Sequence, residues 1–143
     1  MRPYLLLPLL AVIGLAVFKF TRPDRSQLLA FTECPYGGLP RVTVSDNVAP
    51  EDSMPVRMHE AVHAAQCAEL GPTRYRLRNL TAEGRLSLEA PAYCAGARAR
   101  LSQRMDSALV RERLKDDIKA AFRDRADSLV MDALRSACPE LAR

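Results

Sequence analysis

The apolar pattern of the chain opens with a nearly unbroken run from Leu5 to Phe18, preceded by Arg2 and closed by Lys19. A comfortable membrane span needs about 17–25 residues, so the run is short for one. It predicts the h-region of a signal peptide, with Gly14-Leu15-Ala16 as a small-x-small cleavage site. An uncleaved signal anchor is the competing reading, because Val17 to Phe20 continues the apolar character. Lys19, Arg22 and Arg25 would then draw the following segment towards the cytoplasm, an objection that cleavage removes. On this reading residues 1–20 are an export signal or anchor, 21–38 a linker and turn, and 39–143 the folded domain.

Within that domain the periodicity changes from two to 3.6. Arg41 to Ser45 is a short β-like run after the turn signal Pro35-Tyr36-Gly37-Gly38, and it ends at Asp46-Asn47. A helix follows over Met58 to Leu70, with Asp52 or Ser53 as N-cap, Pro55 in the first turn and Gly71-Pro72 as its stop. Arg74 to Leu80 alternates and reads as a short strand or a loop, and Gly84 as another turn. From about Ser87 the pattern is helical. Beyond Gly96 no Gly or Pro occurs until Pro139, and one helix over that stretch would be about 60 Å long, too long for this domain. Breaks are expected near Asp106-Ser107 and Asp116-Asp117. Leu101, Met105, Leu109, Leu114, Ile118, Phe122, Ala126, Leu129, Ala133 and Ala137 mark the buried side. The fold class expected is α+β, mainly helical.

Composition narrows the picture. A chain of 143 residues carries one modest core. Its net charge of +4 comes from arginines that alternate with Asp and Glu between Arg98 and Arg125, the pattern of a solvated helix face. There is no unbalanced basic stripe and no aromatic stacking platform, so nucleic acid is not an expected partner. The four cysteines, Cys34, Cys67, Cys94 and Cys138, are an even number behind an export signal. They predict two disulfides, with three possible connectivities. No CxxC pair suggests a zinc knuckle.

The chemistry concentrates at His59-Glu60-Ala61-Val62-His63. Residues i and i+4 of a helix share a face, about 5–6 Å apart at Cβ, so two imidazoles can converge on one metal ion. Glu60 lies about 100° round the helix from His59. It can miss the metal yet reach a water beside it and act as general base. These are the only two histidines of the chain, and both fall inside the best-punctuated helix. Ala61 and Val62 suit a helix buried behind its metal face. A catalytic zinc needs a third protein ligand and an open position. With no third histidine, the candidates are Glu89, Glu83 and Cys67, in that order: Glu83 reads as a loop residue, and Cys67 would make the site thiolate-rich. Pro91 is expected to confine Glu89 to the first turn of its helix or just before it.

The string from His59 to Gln66, with a downstream Glu and the Ala92-Tyr93 pair, resembles the gluzincin zinc metallopeptidases in their minimal single-domain form. The resemblance covers residues 40–95. It implies zinc bound by His59, His63 and Glu89, with Glu60 as general base and polariser, and peptide or protein as substrate. It also implies a β-ribbon ahead of the motif helix, with Arg41 to Ser45 as the edge strand that pairs with substrate, and a second, ligand-bearing helix. Tyr93, at i+4 from Glu89, is a candidate transition-state stabiliser, beside the plainer role of packing at the site. Cys67 and Cys94 stand just beyond the ligands on facing helices, so Cys67–Cys94 and Cys34–Cys138 are the expected bridges. The expected protein is thus an exported hydrolase, secreted, periplasmic or tethered to a membrane through residues 5–18. The alternative is a non-catalytic, zinc-stabilised helical interaction module. A third possibility is a metal-free membrane-anchored protein in which the motif is accidental.

Overall fold

The computed structural model describes residues 29–123 and 127–141, so the export-signal reading of residues 1–20 lies outside the described residues. No helix among the described residues is long and apolar enough to cross a membrane. The chain enters the fold as β1 (Ala30–Glu33), inside the stretch expected to be a linker. It pairs antiparallel with β2 (Arg41–Val44), Ala30 opposite Val44 and Glu33 opposite Arg41. The expected turn at residues 35–38 connects them. All four residues of β1 are half-buried, so no alternation marked it in advance. What shelters it is a neighbouring helix, and strand preference depends on such packing more than on intrinsic propensity.

That helix, α1 (Pro50–Leu80), starts earlier than expected. Ala49 is its N-cap, with no side-chain cap, and Pro50 lies at its very start, where a proline loses nothing. Pro55 therefore lies inside the helix and is buried. Gly71 (φ 73°, ψ 160°) breaks the axis as expected, but helix resumes at Pro72. Arg74 to Leu80 is helical, neither strand nor loop. The physical reason is that a proline which ends one helix is equally suited to the first turn of the next.

α2 (Ala82–Ser102) packs along α1 in the largest interface of the fold. Thr81 caps it by accepting from the Gly84 N–H at 3.0 Å, so Gly84 belongs to the first helical turn and is not a separate loop. Its lack of a side chain is a packing requirement. A Cβ there would fall 2.3 Å from the carbonyl oxygen of Arg78 at the end of α1. Pro91 lies within α2, so Glu89 stands well inside the helix and not in its first turn. A mid-helix proline costs about 3 kcal/mol, and the burial of Leu88, Ala90, Ala92 and Cys94 around it offsets that cost.

α3 (Ser107–Ala121) begins where expected. The Asp106 carboxylate accepts from the N–H groups of Ala108 and Leu109 at 2.9 and 3.0 Å. The break expected at Asp116-Asp117 does not occur, and α3 ends at Phe122 instead. α4 (Asp127–Ala137) then closes the core formed by Cys94, Val110, Leu114, Ile118, Val130 and Leu134. Leu114, Ile118 and Phe122 are buried as expected, but Leu109 and Leu129 are exposed, and α4 buries Val130 and Leu134 instead. A single period carried across the break after Phe122 arrives one residue out of phase. Ala126 lies outside the described residues.

Among the described residues the charges pair mainly between elements. Arg98 meets Glu140 at 2.8 Å, Lys119 meets Asp127 at 3.5 Å, and Arg100 joins Asp52 of α1 to Asp117 of α3. The two disulfides are Cys34–Cys67 and Cys94–Cys138, which corrects the expected pairing. Cys67 faces the ribbon, while Cys94 is turned away from it into the core beside α4. Two disulfides fit an oxidising, extracellular environment.

Candidate metal centre

Two helices build the centre. His59 and His63 lie one turn apart on α1, and Glu89 projects from α2 opposite them. The two Nε2 atoms are 3.1 Å apart, and each lies 3.4 Å from Glu89 Oε2. The three residues form a group that could hold a metal ion. The helices can come this close because Gly96 has no side chain: a Cβ there would lie 3.2 Å from the Pro55 carbonyl oxygen and 3.9 Å from His59 Cβ. The other candidate ligands are elsewhere. Cys67 is bonded to Cys34. Glu83 lines a separate apolar groove of about 560 Å³ between α2 and α4, with Leu86 and Leu129.

Electrostatics bind the group together. Burial opposes ionisation of Glu89, but hydrogen bonds and charge from His59 and His63 outweigh it and hold the carboxyl down at about 2. Burial would likewise lower His63, yet its bond to Glu89 and the Glu89 charge raise it above its ordinary 6.5.

Glu60 is buried on the flank of α1 that faces the ribbon. The hydroxyl of Thr32, from the middle of β1, lies 2.7 Å from Glu60 Oε2 and 3.0 Å from the Glu60 carbonyl oxygen. A donor from the ribbon thus orients the motif carboxylate. Ala61 is exposed and Val62 half-buried, so the helix back is less covered than its composition implied. On the far side of His63, Gln66 Oε1 lies 3.0 Å from His63 Nδ1, and Gln66 Nε2 donates to the Leu88 carbonyl at 2.9 Å.

Two phenols flank the histidines. The ring of Tyr93 meets His59 edge-on at 4.7 Å, and that of Tyr75 meets His63 edge-on at 6.4 Å. Burial and the charge of Glu89 push both hydroxyls up to about 12, so both stay protonated and able to donate a hydrogen bond at neutral pH. A cavity of about 480 Å³ opens beside His59 and Glu60, with Tyr93, Val56, Arg100 and Asp117 on its walls. A smaller one of about 350 Å³ lies between Thr32 and Tyr75.

Thr32, Gln66 and Tyr75 were not among the expected site residues. Gln66 had a usable signal, its spacing of i+3 from His63. Thr32 had none, being 28 positions from Glu60. Tyr75 was hidden by the reading of its segment as strand or loop.

Comparison with known protein families, with curated proteins and with solved structures found no match to this chain.

Proposed function

We propose that this chain is a zinc-dependent hydrolase that cleaves peptide bonds, with His59, His63 and Glu89 as ligands and Glu60 as general base. The observation that carries the reading is the triangle of donor atoms, with edges of 3.1, 3.4 and 3.4 Å. Tetrahedral bonds of about 2.0–2.1 Å require ligand atoms about 3.3–3.4 Å apart. Two neutral imidazoles and one carboxylate are also the donor set of several catalytic zinc sites. A zinc ion there would supply Lewis-acid polarisation of a carbonyl and a water of lowered pKa.

The chain's own residues account for the remaining steps. Glu60, oriented by Thr32, takes a proton from the attacking water and delivers it to the departing amine. Tyr93 and Tyr75 stand on either side of the histidines as neutral hydrogen-bond donors for a developing oxyanion. β1 is the extended element nearest Glu60, which favours β1 over the expected β2 as the strand along which peptide substrate lies. The two disulfides support export to an oxidising compartment, with residues 5–18 as signal or tether.

The test is elemental analysis of the purified full chain, of His63→Ala and of Glu60→Gln, followed by assay on a quenched peptide library. About one zinc per chain is expected in the native protein and in Glu60→Gln, and none in His63→Ala. Peptide hydrolysis should fall about 10²–10⁴-fold in Glu60→Gln. Zinc without any hydrolysis in the native protein would favour the non-catalytic module. Absence of zinc after reconstitution would overturn the metal reading.

A further inference from the structure

We infer that Gln66 is a positioning residue that selects the metal-binding tautomer of His63 by relaying a backbone constraint from α2. The inference rests on the metal reading above only where it predicts affinity; the tautomer itself belongs to the protein.

The Leu88 carbonyl can only accept a hydrogen bond. Gln66 lies 2.9 Å from it. The atom facing Leu88 must therefore be the amide nitrogen, since an oxygen there would set two acceptors against each other. With that end fixed, the Gln66 oxygen is the atom 3.0 Å from His63 Nδ1. An oxygen accepts, so Nδ1 must carry the ring hydrogen. In a neutral imidazole this leaves Nε2 with its lone pair free, and Nε2 is the atom 3.4 Å from Glu89 Oε2 and 3.1 Å from His59 Nε2. A carbonyl one residue before Glu89 thus favours a hydrogen on Nδ1 of His63 and leaves Nε2, the nitrogen that faces Glu89 and His59, for the metal.

The same relay joins the two halves of the site. Gln66 belongs to α1 with both histidines, and Leu88 precedes the carboxylate ligand on α2. Anything that slides α2 along α1 breaks the Gln66–Leu88 bond and displaces Glu89 together. The carboxamide suits this post better than a carboxylate, because it alone can accept from His63 while donating to Leu88. Partners of ligating histidines ordinarily contribute 10–100-fold in metal affinity.

The experiment uses the full chain, labelled with ¹⁵N at histidine, and zinc titration against a competing chelator. Correlation spectra of the ring nitrogens should report a hydrogen on Nδ1 of His63 in the metal-free native protein at pH 8, either as the Nδ1–H tautomer or, where Glu89 also holds a hydrogen on Nε2, as the doubly protonated ring. Gln66→Leu removes both bonds at similar volume and should weaken zinc about 10–100-fold, with His63 shifting to a tautomer mixture. Gln66→Glu keeps the acceptor for Nδ1–H and should retain the native tautomer, even as it loses the bond to Leu88. An Nε2–H tautomer at His63 in the native protein would overturn the inference without any variant. So would native zinc affinity and native tautomer in Gln66→Leu, or a Gln66→Glu protein with the Gln66→Leu spectrum. If the native protein takes up no zinc while its His63 shows the Nδ1–H tautomer, the metal reading fails and the relay stands.

Discussion

At Glu89 and His63 the charge states run against burial, and this gives the metal-free protein a distinctive pH response. Glu89 is depressed from 4.5 to about 2, so its contribution is present above pH 4.5 and is lost as the pH falls towards 2. His63 is raised above 6.5, so its contribution is complete below 6.5 and is lost as the pH rises through the folded value. The pair therefore stabilises the metal-free fold most between about pH 4.5 and 6.5. Metal binding needs neutral imidazole and competes with the same protons, so its stabilisation grows in the opposite direction, above that window. Thermal unfolding across pH 4–9, with chelator and with zinc, should give curves of opposite slope near neutrality; parallel curves would mean that these groups do not control both. At Glu60 the relevant neighbour is Thr32. Thr32→Val substitutes a methyl for the hydroxyl and leaves the buried carboxylate short of a donor, an expected loss of about 1–3 kcal/mol in urea unfolding at pH 7.

Among the elements, α1 and α2 do most to position chemistry, and their junction is the tightest point. Thr81 ends one helix and caps the next, and Gly84 fits beneath the Arg78 carbonyl. In an exposed helix Gly→Ala gains roughly 0.5–1 kcal/mol. At Gly84 the added Cβ would lie 2.3 Å from backbone and 2.7 Å from Thr81 Oγ1, so the backbone must move. Overpacking of this kind costs about 1–3 kcal/mol, so Gly84→Ala should lower the melting temperature despite better helix propensity. A rise in melting temperature would show that the junction is loose. The kink at Gly71 has a different consequence. A positive φ there redirects the second half of α1, which brings Tyr75 beside His63 and lets Arg76 donate to the Cys34 carbonyl at 3.0 Å.

For the molecule as a whole, the two disulfides divide the labour. Cys34–Cys67 ties the ribbon loop to α1 one turn beyond His63, while Cys94–Cys138 lies in the core and joins α2 to the end of α4. The spacings of 33 and 44 residues imply about 4 kcal/mol each if the bridges act by restricting the unfolded chain. The expected difference lies in what each loss disturbs. Replacing Cys94 and Cys138 by Ser should destabilise the whole domain with a sharp fall in melting temperature. Replacing Cys34 and Cys67 by Ser should in addition loosen β1 and β2 from α1, read as faster amide exchange of residues 30–44 and a weakened Thr32–Glu60 contact. Equal exchange profiles for the two double variants would mean that the ribbon is held by packing alone.

Much of the candidate centre was legible in the chain itself. The HExxH spacing on one helix, the Asp106 cap and the hairpin turn all depend on contiguous backbone, where period and capping are local properties, and Glu89 as the favoured third acid followed from a second helix expected to return beside the first. The rest depended on which faces packing brings together. Pro91 argued that Glu89 must lie in a first turn, yet burial of the residues around it carries α2 straight through. Cys67 and Cys94 stand just beyond the ligands on facing helices, yet those helices turn them to the ribbon and to α4. The apolar phase of α4 was lost at the break after Phe122, since a new helix starts with its own rotation. Thr32 and Leu88 carry no mark in sequence of the atoms they would serve. The sequence alone therefore determined the two histidines, the glutamate between them and the mainly helical fold. Only the tertiary structure decided what orients each of them, because a hydrogen-bond partner 22 or 28 residues away is chosen by the packing of whole elements and not by any local period.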